Sequence, residues 1–199
     1  MYYSQHNEEQ VIINYFLGRP TGKLIDIGAY DTYRFSNSRR LYEIGFSGVL
    51  VEPSPANYKK IAEDYANEPR IEVLNIAVGE TTGNIDFYES NGDAVSTTDK
   101  EHMQKWGAAG VQFTLITVPQ ISVEDFMKQY CTPDVSFISI DVESTNIQLF
   151  RAIPAWVFAQ ISMLIIEHDA EYEEIEAKLH PFGFIPVFRN AENIIFCKL

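Results

Sequence analysis

An α/β domain built on a largely parallel sheet is the fold class this sequence predicts, and three observations carry the prediction. Five short, β-branched apolar runs recur along the chain. Segments with helical apolar spacing lie between several of them. Two further runs at the end of the chain instead flank a turn-rich tetrad, as the strands of an antiparallel hairpin do.

The first run, residues 23–28 (KLIDIG), and the second, 48–52 (GVLVE), read as strands. So do 71–78 (IEVLNIAV), 135–142 (VSFISIDV) and 161–167 (ISMLIIE). Near-continuous apolar character is expected of strands covered on both faces. After the second strand, Ser54-Pro55 offers an N-cap followed by proline at the first helical position. Tyr58, Ile61, Ala62 and Tyr65 then fall on one helical face. Ile147, Phe150 and Ile153 repeat the pattern after the fourth strand, and Ile175 and Leu179 after the fifth. Such alternation argues for right-handed crossovers. Residues 184–188 and 194–198 form the closing hairpin around Asn190-Ala191-Glu192-Asn193. A second hairpin is expected where Glu80-Thr81-Thr82-Gly83 separates the third strand from 84–88 (NIDFY). Residues 1–20 read as a helical extension. Residues 89–115, with Gly92, Gly107 and Gly110 and no clear period, read as a lid or acceptor loop.

The 199 residues fit a single domain, 1–199, large enough to bury a core. Apolar residues make up 46% and charged residues 22%, which argues against disorder. The net charge of −13 disfavours nucleic acid and anionic membrane as main partners. Cys131 and Cys197 cannot form a disulfide framework or a cysteine-rich metal site. No signal peptide and no apolar run of membrane-spanning length is visible, so a reducing, cytoplasmic setting is expected.

Chemistry-bearing residues gather at the ends of the strands. Asp26-Ile27-Gly28-Ala29-Tyr30-Asp31 runs from a strand into a glycine turn, where the backbone can approach a nucleotide-containing ligand. Glu52 ends the second strand, 24 positions after Gly28, where a carboxylate can accept hydrogen bonds from ribose hydroxyls. Those features suit NAD and S-adenosylmethionine alike. Asp141 and Glu143 end the fourth strand and alternate onto one face, either as site residues or as anions near a helix start. His168 ends the fifth strand and is a candidate base. His6, His102 and His180 lack metal-ligand spacing, and no metal site is expected. Trp106 and Trp156 read as packing residues, and Glu171, Glu173, Glu174 and Glu176 as a solvated helix face.

Taken in order, the motifs resemble the FkbM-type S-adenosylmethionine-dependent methyltransferases. The resemblance runs through Tyr3-Ser4-Gln5 with Glu8-Glu9, Asp26-Ile27-Gly28-Ala29 with Ser36-Asn37, and Val51-Glu52-Pro53-Ser54-Pro55. It continues through Ala77-Val78-Gly79 with Gly83, Ser139-Ile140-Asp141-Val142-Glu143, and Asn193-Ile194-Ile195-Phe196. Thr32 and Ser144 stand where the family usually has glycine. The resemblance implies the class I methyltransferase fold: a Rossmann-like three-layer sandwich around a seven-stranded, mostly parallel sheet of order 3-2-1-4-5-7-6, its last strand antiparallel. It also implies S-adenosylmethionine as cofactor and O-methylation of a sugar or natural product, a small-molecule or glycan acceptor. A homo-oligomer is compatible with this reading, and so is a non-catalytic adenosine-ligand binder of the same fold.

The same resemblance distributes roles. Gly28, Ala29 and Tyr30 are expected along the methionine end through backbone groups, with Asp26 and Asp141 beside them. Glu52, with Pro53, is expected at the ribose, and Ala77 and Val78 at the adenine. Ser36, Asn37 and Gln5 are expected to add polar contacts. Asp141, Glu143 and His168 are the candidates for deprotonating the acceptor hydroxyl.

Overall fold

The structure, a computed structural model, describes residues 2–199. Its centre is a seven-stranded sheet of β1 (Lys23–Ile27), β2 (Ser47–Val51), β3 (Ile71–Leu74), β7 (Val135–Ile140), β8 (Met163–Glu167), β9 (Phe184–Arg189) and β10 (Asn193–Lys198). The order is β3-β2-β1-β7-β8-β10-β9, which is the expected 3-2-1-4-5-7-6. The first five strands pair in parallel, and β10 runs antiparallel to both of its neighbours.

Strand alternation sorts the core into two layers. Ile25, Ile27, Ile138, Ile140, Leu164 and Ile166 face one side. There they meet α5 (Val123–Tyr130), α6 (Asn146–Ala152), α7 (Ala155–Gln160) and α8 (Tyr172–Leu179). Leu24, Phe137, Met163 and Ile165 face the other side. They meet α1 (Glu8–Phe16), α2 (Arg39–Glu43) and α3 (Pro55–Asp64). Because both faces are covered, these strands need no polar alternation, which is why they stand out in the sequence. Ser54 caps α3 as expected, its hydroxyl accepting the Asn57 N–H at 3.3 Å.

A second sheet departs from expectation. The run 71–78 is not one strand: it breaks after Leu74, and β4 (Ala77–Gly79) joins a separate three-stranded sheet of order β4-β6-β5. Asn75 accounts for the break. Its side-chain amide donates to the Glu52 and Pro53 carbonyls at 2.9 and 3.0 Å, tying the chain to the end of β2. Nor do β4 and β5 (Gly83–Glu89) pair as a hairpin. Between them lies β6 (Thr114–Ser122), parallel to β4 and antiparallel to β5. Pro119 fits in β6 because the pairing with β4 begins only at Gln120. Residues 89–115 also hold more structure than expected, including α4 (Lys100–Ala108), capped by Asp99.

Candidate functional site

A cavity of about 300 Å³ opens at the carboxyl ends of the parallel strands. Open α/β sheets bind ligands at this edge. Its floor begins at Gly28, where φ is +87° and a Cβ would lie 1.7 Å from the Asp141 carbonyl oxygen. Glycine is thus required for β1 and β7 to end side by side. The N–H groups of the turn are turned inward rather than left free: Gly28 and Ala29 donate to the Val51 carbonyl at 2.9 and 3.0 Å. No helix starts at this turn either, since α2 begins only at Arg39.

Glu52 lines the cavity yet is only 5% exposed. Its carboxylate oxygens accept the Tyr30 N–H at 2.9 Å and the Ser54 N–H at 2.8 Å. Burial pushes its carboxyl up to about 7, and the Asp26 and Glu89 charges add to the rise while the two N–H bonds oppose it. Each oxygen keeps a further lone pair for a ligand. Beyond Glu52, Ala77 and Val78 join Val51, Ile76, Phe87 and Val142 in an apolar slot.

The opposite end is acidic. β7 stops at Ile140, so Asp141 and Glu143 reach the cavity from a turn rather than from strand alternation. Glu143 and Ser144 both hold left-handed backbone, φ +55° and +70°. Burial, followed by the charges of Asp141, Glu167, Asp169 and Glu192, pushes Glu143 up to about 9. Burial and the same neighbourhood hold the Asp141 carboxyl well above the usual range. Burial and the Asp169 charge lift Glu167 to about 7.

Gln5, Gly28, Tyr30, Glu52, Pro53, Ala77, Val78, Asp141 and Glu143 therefore come together as expected. Five expected residues do not line the cavity. Asp26 is buried beneath it, held by Ser38 and Ser139. Ala29 packs in the core. The Ser36 hydroxyl accepts the Arg39 N–H at 3.1 Å at the start of α2, and Asn37 is buried nearby. His168 is spoken for: Nδ1 accepts the Ala170 N–H at 3.0 Å, leaving Nε2 to donate to the Asn190 carbonyl at 3.2 Å. An imidazole with both nitrogens engaged has no lone pair for an acceptor's proton.

The structure adds residues that spacing alone does not reveal. Asp93, Val95 and Ser96 form one wall, with Trp106 of α4 behind them. Phe35 stacks on Tyr30 at 6.0 Å and faces the same space. His102 of α4 approaches Glu143, with Nε2 3.4 Å from Oε2. At the acidic end, Asp141 and Glu143 are the carboxylates that the strand ends make legible, and Glu192 joins them from the last hairpin.

The sequence profile of the methyltransferase FkbM domain matches residues 26–186. The chain belongs to the FkbM methyltransferase family. Among solved structures, the FkbM methyltransferase of Methylobacillus flagellatus KT superposes with a TM-score of 0.57 at 13% identity, covering 89% of this chain and 43% of that one. The present chain thus spans under half the length of that relative. A candidate RNA methyltransferase of Pyrococcus horikoshii superposes with a TM-score of 0.50 at 12% identity, covering 100% of this chain and 88% of that one. At such identities the likeness is one of fold. No curated protein matches the chain in sequence. Within this FkbM domain, Ser144 occupies a left-handed position that favours glycine, and its hydroxyl bonds to His102 Nδ1. Thr32 is buried, and its hydroxyl has no partner among the described residues.

Proposed function

We propose that this FkbM domain is an S-adenosylmethionine-dependent methyltransferase acting on a hydroxyl of an uncharged or cationic acceptor, such as a sugar or natural product. The observation that carries this reading is the charge of the cavity. Glu52, Asp93, Asp141, Glu143, Glu167 and Glu192 line it, and no Lys or Arg does among the described residues. A pyrophosphate-bearing dinucleotide would meet repulsion here, whereas a cofactor with a sulfonium and an ammonium group meets attraction. The absence of cationic side chains likewise disfavours phosphorylated acceptors.

The chain's residues fit such a cofactor. Glu52 offers two carboxylate oxygens at the end of β2, the right chemistry for a ribose diol. Ala77, Val78 and Ile76 offer apolar walls for a purine, and Asp141 with Glu167 offers negative charge for the methionine end. When bound, the cofactor supplies an already activated methyl group, so the protein's work is alignment and proton removal. Tyr30, Phe35 and Trp106 give aromatic surface against which an acceptor can be oriented. Of the three candidate bases, Asp141, Glu143 and His168, this reading assigns the role to Glu143, at the cavity and raised in basicity by its neighbours. Isothermal titration with S-adenosylhomocysteine, S-adenosylmethionine and NAD tests the reading. Binding of the first two without NAD is expected; binding of NAD alone would refute it.

A further inference from the structure

His102 belongs to none of the roles above, yet its ring is buried and held on one nitrogen beside the cavity. It sits on α4, where its backbone N–H donates to the capping Asp99 carboxylate at 2.6 Å. Ser144 Oγ holds Nδ1. Trp106 packs against the ring at 6.2 Å. The side chain is 8% exposed, and Nε2 has no hydrogen-bond partner, although Glu143 Oε2 lies 3.4 Å away. The Thr97 hydroxyl donates to the Glu143 carbonyl at 2.9 Å, fixing the loop ahead of α4 to the same turn. Two elements far apart in sequence are thus fastened so that an imidazole nitrogen faces a carboxylate oxygen.

Such a pair cannot face each other as two bare acceptors; a proton has to lie between them. Around it, Glu143 faces Asp141, Glu167, Asp169 and Glu192, and His102 faces Lys105 and Asp99. Burial and four carboxylates push Glu143 up to about 9, against ionisation. Burial and Lys105 push His102 down, toward the neutral imidazole. A protonated Glu143 is useless as a base. We propose that His102 is a positioning residue that holds this proton at Nε2 as a hydrogen-bond donor to Glu143, easing ionisation of the carboxyl toward the cavity, and that Ser144 fixes the ring for that purpose. The proposal rests on Glu143 being the base of the methyltransferase. It gives Ser144, where the family usually has glycine, a function. It also gives α4 a chemical role besides forming a wall. The groups then titrate as one unit rather than separately.

The test is NMR on the full chain, carrying labelled imidazole nitrogens and labelled glutamate carboxyls, across pH. In the wild type, the Glu143 carboxyl is expected to ionise at a lower pH than in His102→Asn, by more than about one pH unit. In Glu143→Gln, the His102 midpoint is expected to drop by more than about one pH unit. Should His102→Asn fail to fold, the Glu143→Gln arm decides. A Glu143 signal indifferent to His102, or a His102 midpoint indifferent to Glu143, overturns the proposal. Calorimetry with S-adenosylhomocysteine on the same samples reports separately on the methyltransferase reading. A domain that shows the coupling but binds no S-adenosylhomocysteine keeps the pair and loses that reading.

Discussion

Glu52 is held by two backbone N–H groups and still faces the cavity, so its geometry is set before any ligand arrives. If Glu52 holds the ribose as proposed, truncating it removes charge-assisted bonds to a diol, worth about 1.5–3 kcal/mol. Glu52→Ala is therefore expected to weaken S-adenosylhomocysteine binding roughly 10- to 150-fold by calorimetry, with Glu52→Gln losing less. Gly28 is a different kind of residue. Its φ of +87° and the 1.7 Å Cβ contact with the Asp141 carbonyl leave no room to adjust. Gly28→Ala is expected to cost about 3 kcal/mol or more in urea unfolding. Sequence singled out both residues, Glu52 as a carboxylate at the end of β2, where the structure places it at the cavity, and Gly28 for only half of what it does. The glycine was visible; that it serves a strand-to-strand approach was not, because Asp141 is remote in sequence. Histidine shows the same limit. His168 stands at a strand end and reads as a base, but its ring turns toward Asn190 in the last hairpin. His102 reads as ordinary, because its partner Ser144 is 42 positions away.

At the level of elements, legibility follows burial. Strands covered on both faces announce themselves, and β1, β2, β7 and β8 lie where their apolar runs placed them. β5 and β6 cover a surface from one side only, so Phe87 and Val118 are buried among exposed neighbours. With Pro119 inside it, β6 carries little strand character in sequence. Residues 89–115 combine a bridge between Tyr88 and Thr97, a left-handed turn at Asn91-Gly92 and the short helix α4. Their glycines and polarity obscure the period of a nine-residue helix. This segment brings Trp106 to the cavity wall, while Trp156 is 41% exposed on another element. Binding of S-adenosylhomocysteine is accordingly expected to change the intrinsic tryptophan fluorescence, and Trp106→Phe to abolish the change while Trp156→Phe keeps it. A response that survives Trp106→Phe would detach α4 from the ligand site.

For the molecule as a whole, the distribution of charge links stability to ligand. The net charge of −13 is not spread evenly: carboxylates from three strand ends and the last hairpin converge on one cavity. Burial and mutual repulsion push Glu52 and Glu167 up to about 7 and Glu143 up to about 9, each from an ordinary 4.5. The folded state therefore binds more protons than the unfolded chain between pH about 4.5 and 9. Stability rises with pH only where the unfolded state binds more protons, so here it must fall. The unliganded domain is expected to lose melting temperature as pH rises through 7 toward 9. Stronger acid eventually reverses the trend through groups such as Glu8 and Glu43, which hydrogen bonds hold below their ordinary values. A cation in the cavity counters the repulsion that causes the loss. S-adenosylmethionine and S-adenosylhomocysteine share every group except the sulfonium methyl and its charge, so their affinity ratio isolates the electrostatic part. Protonated carboxyls attract no cation, and ionised ones do. The preference for the sulfonium form is thus expected to grow as pH rises through 7, the range in which Glu52 and Glu167 lose their protons. Calorimetry with both ligands across that range measures it. A ratio independent of pH would place the positive sulfur away from the acidic wall, and would leave those carboxylates to the acceptor alone.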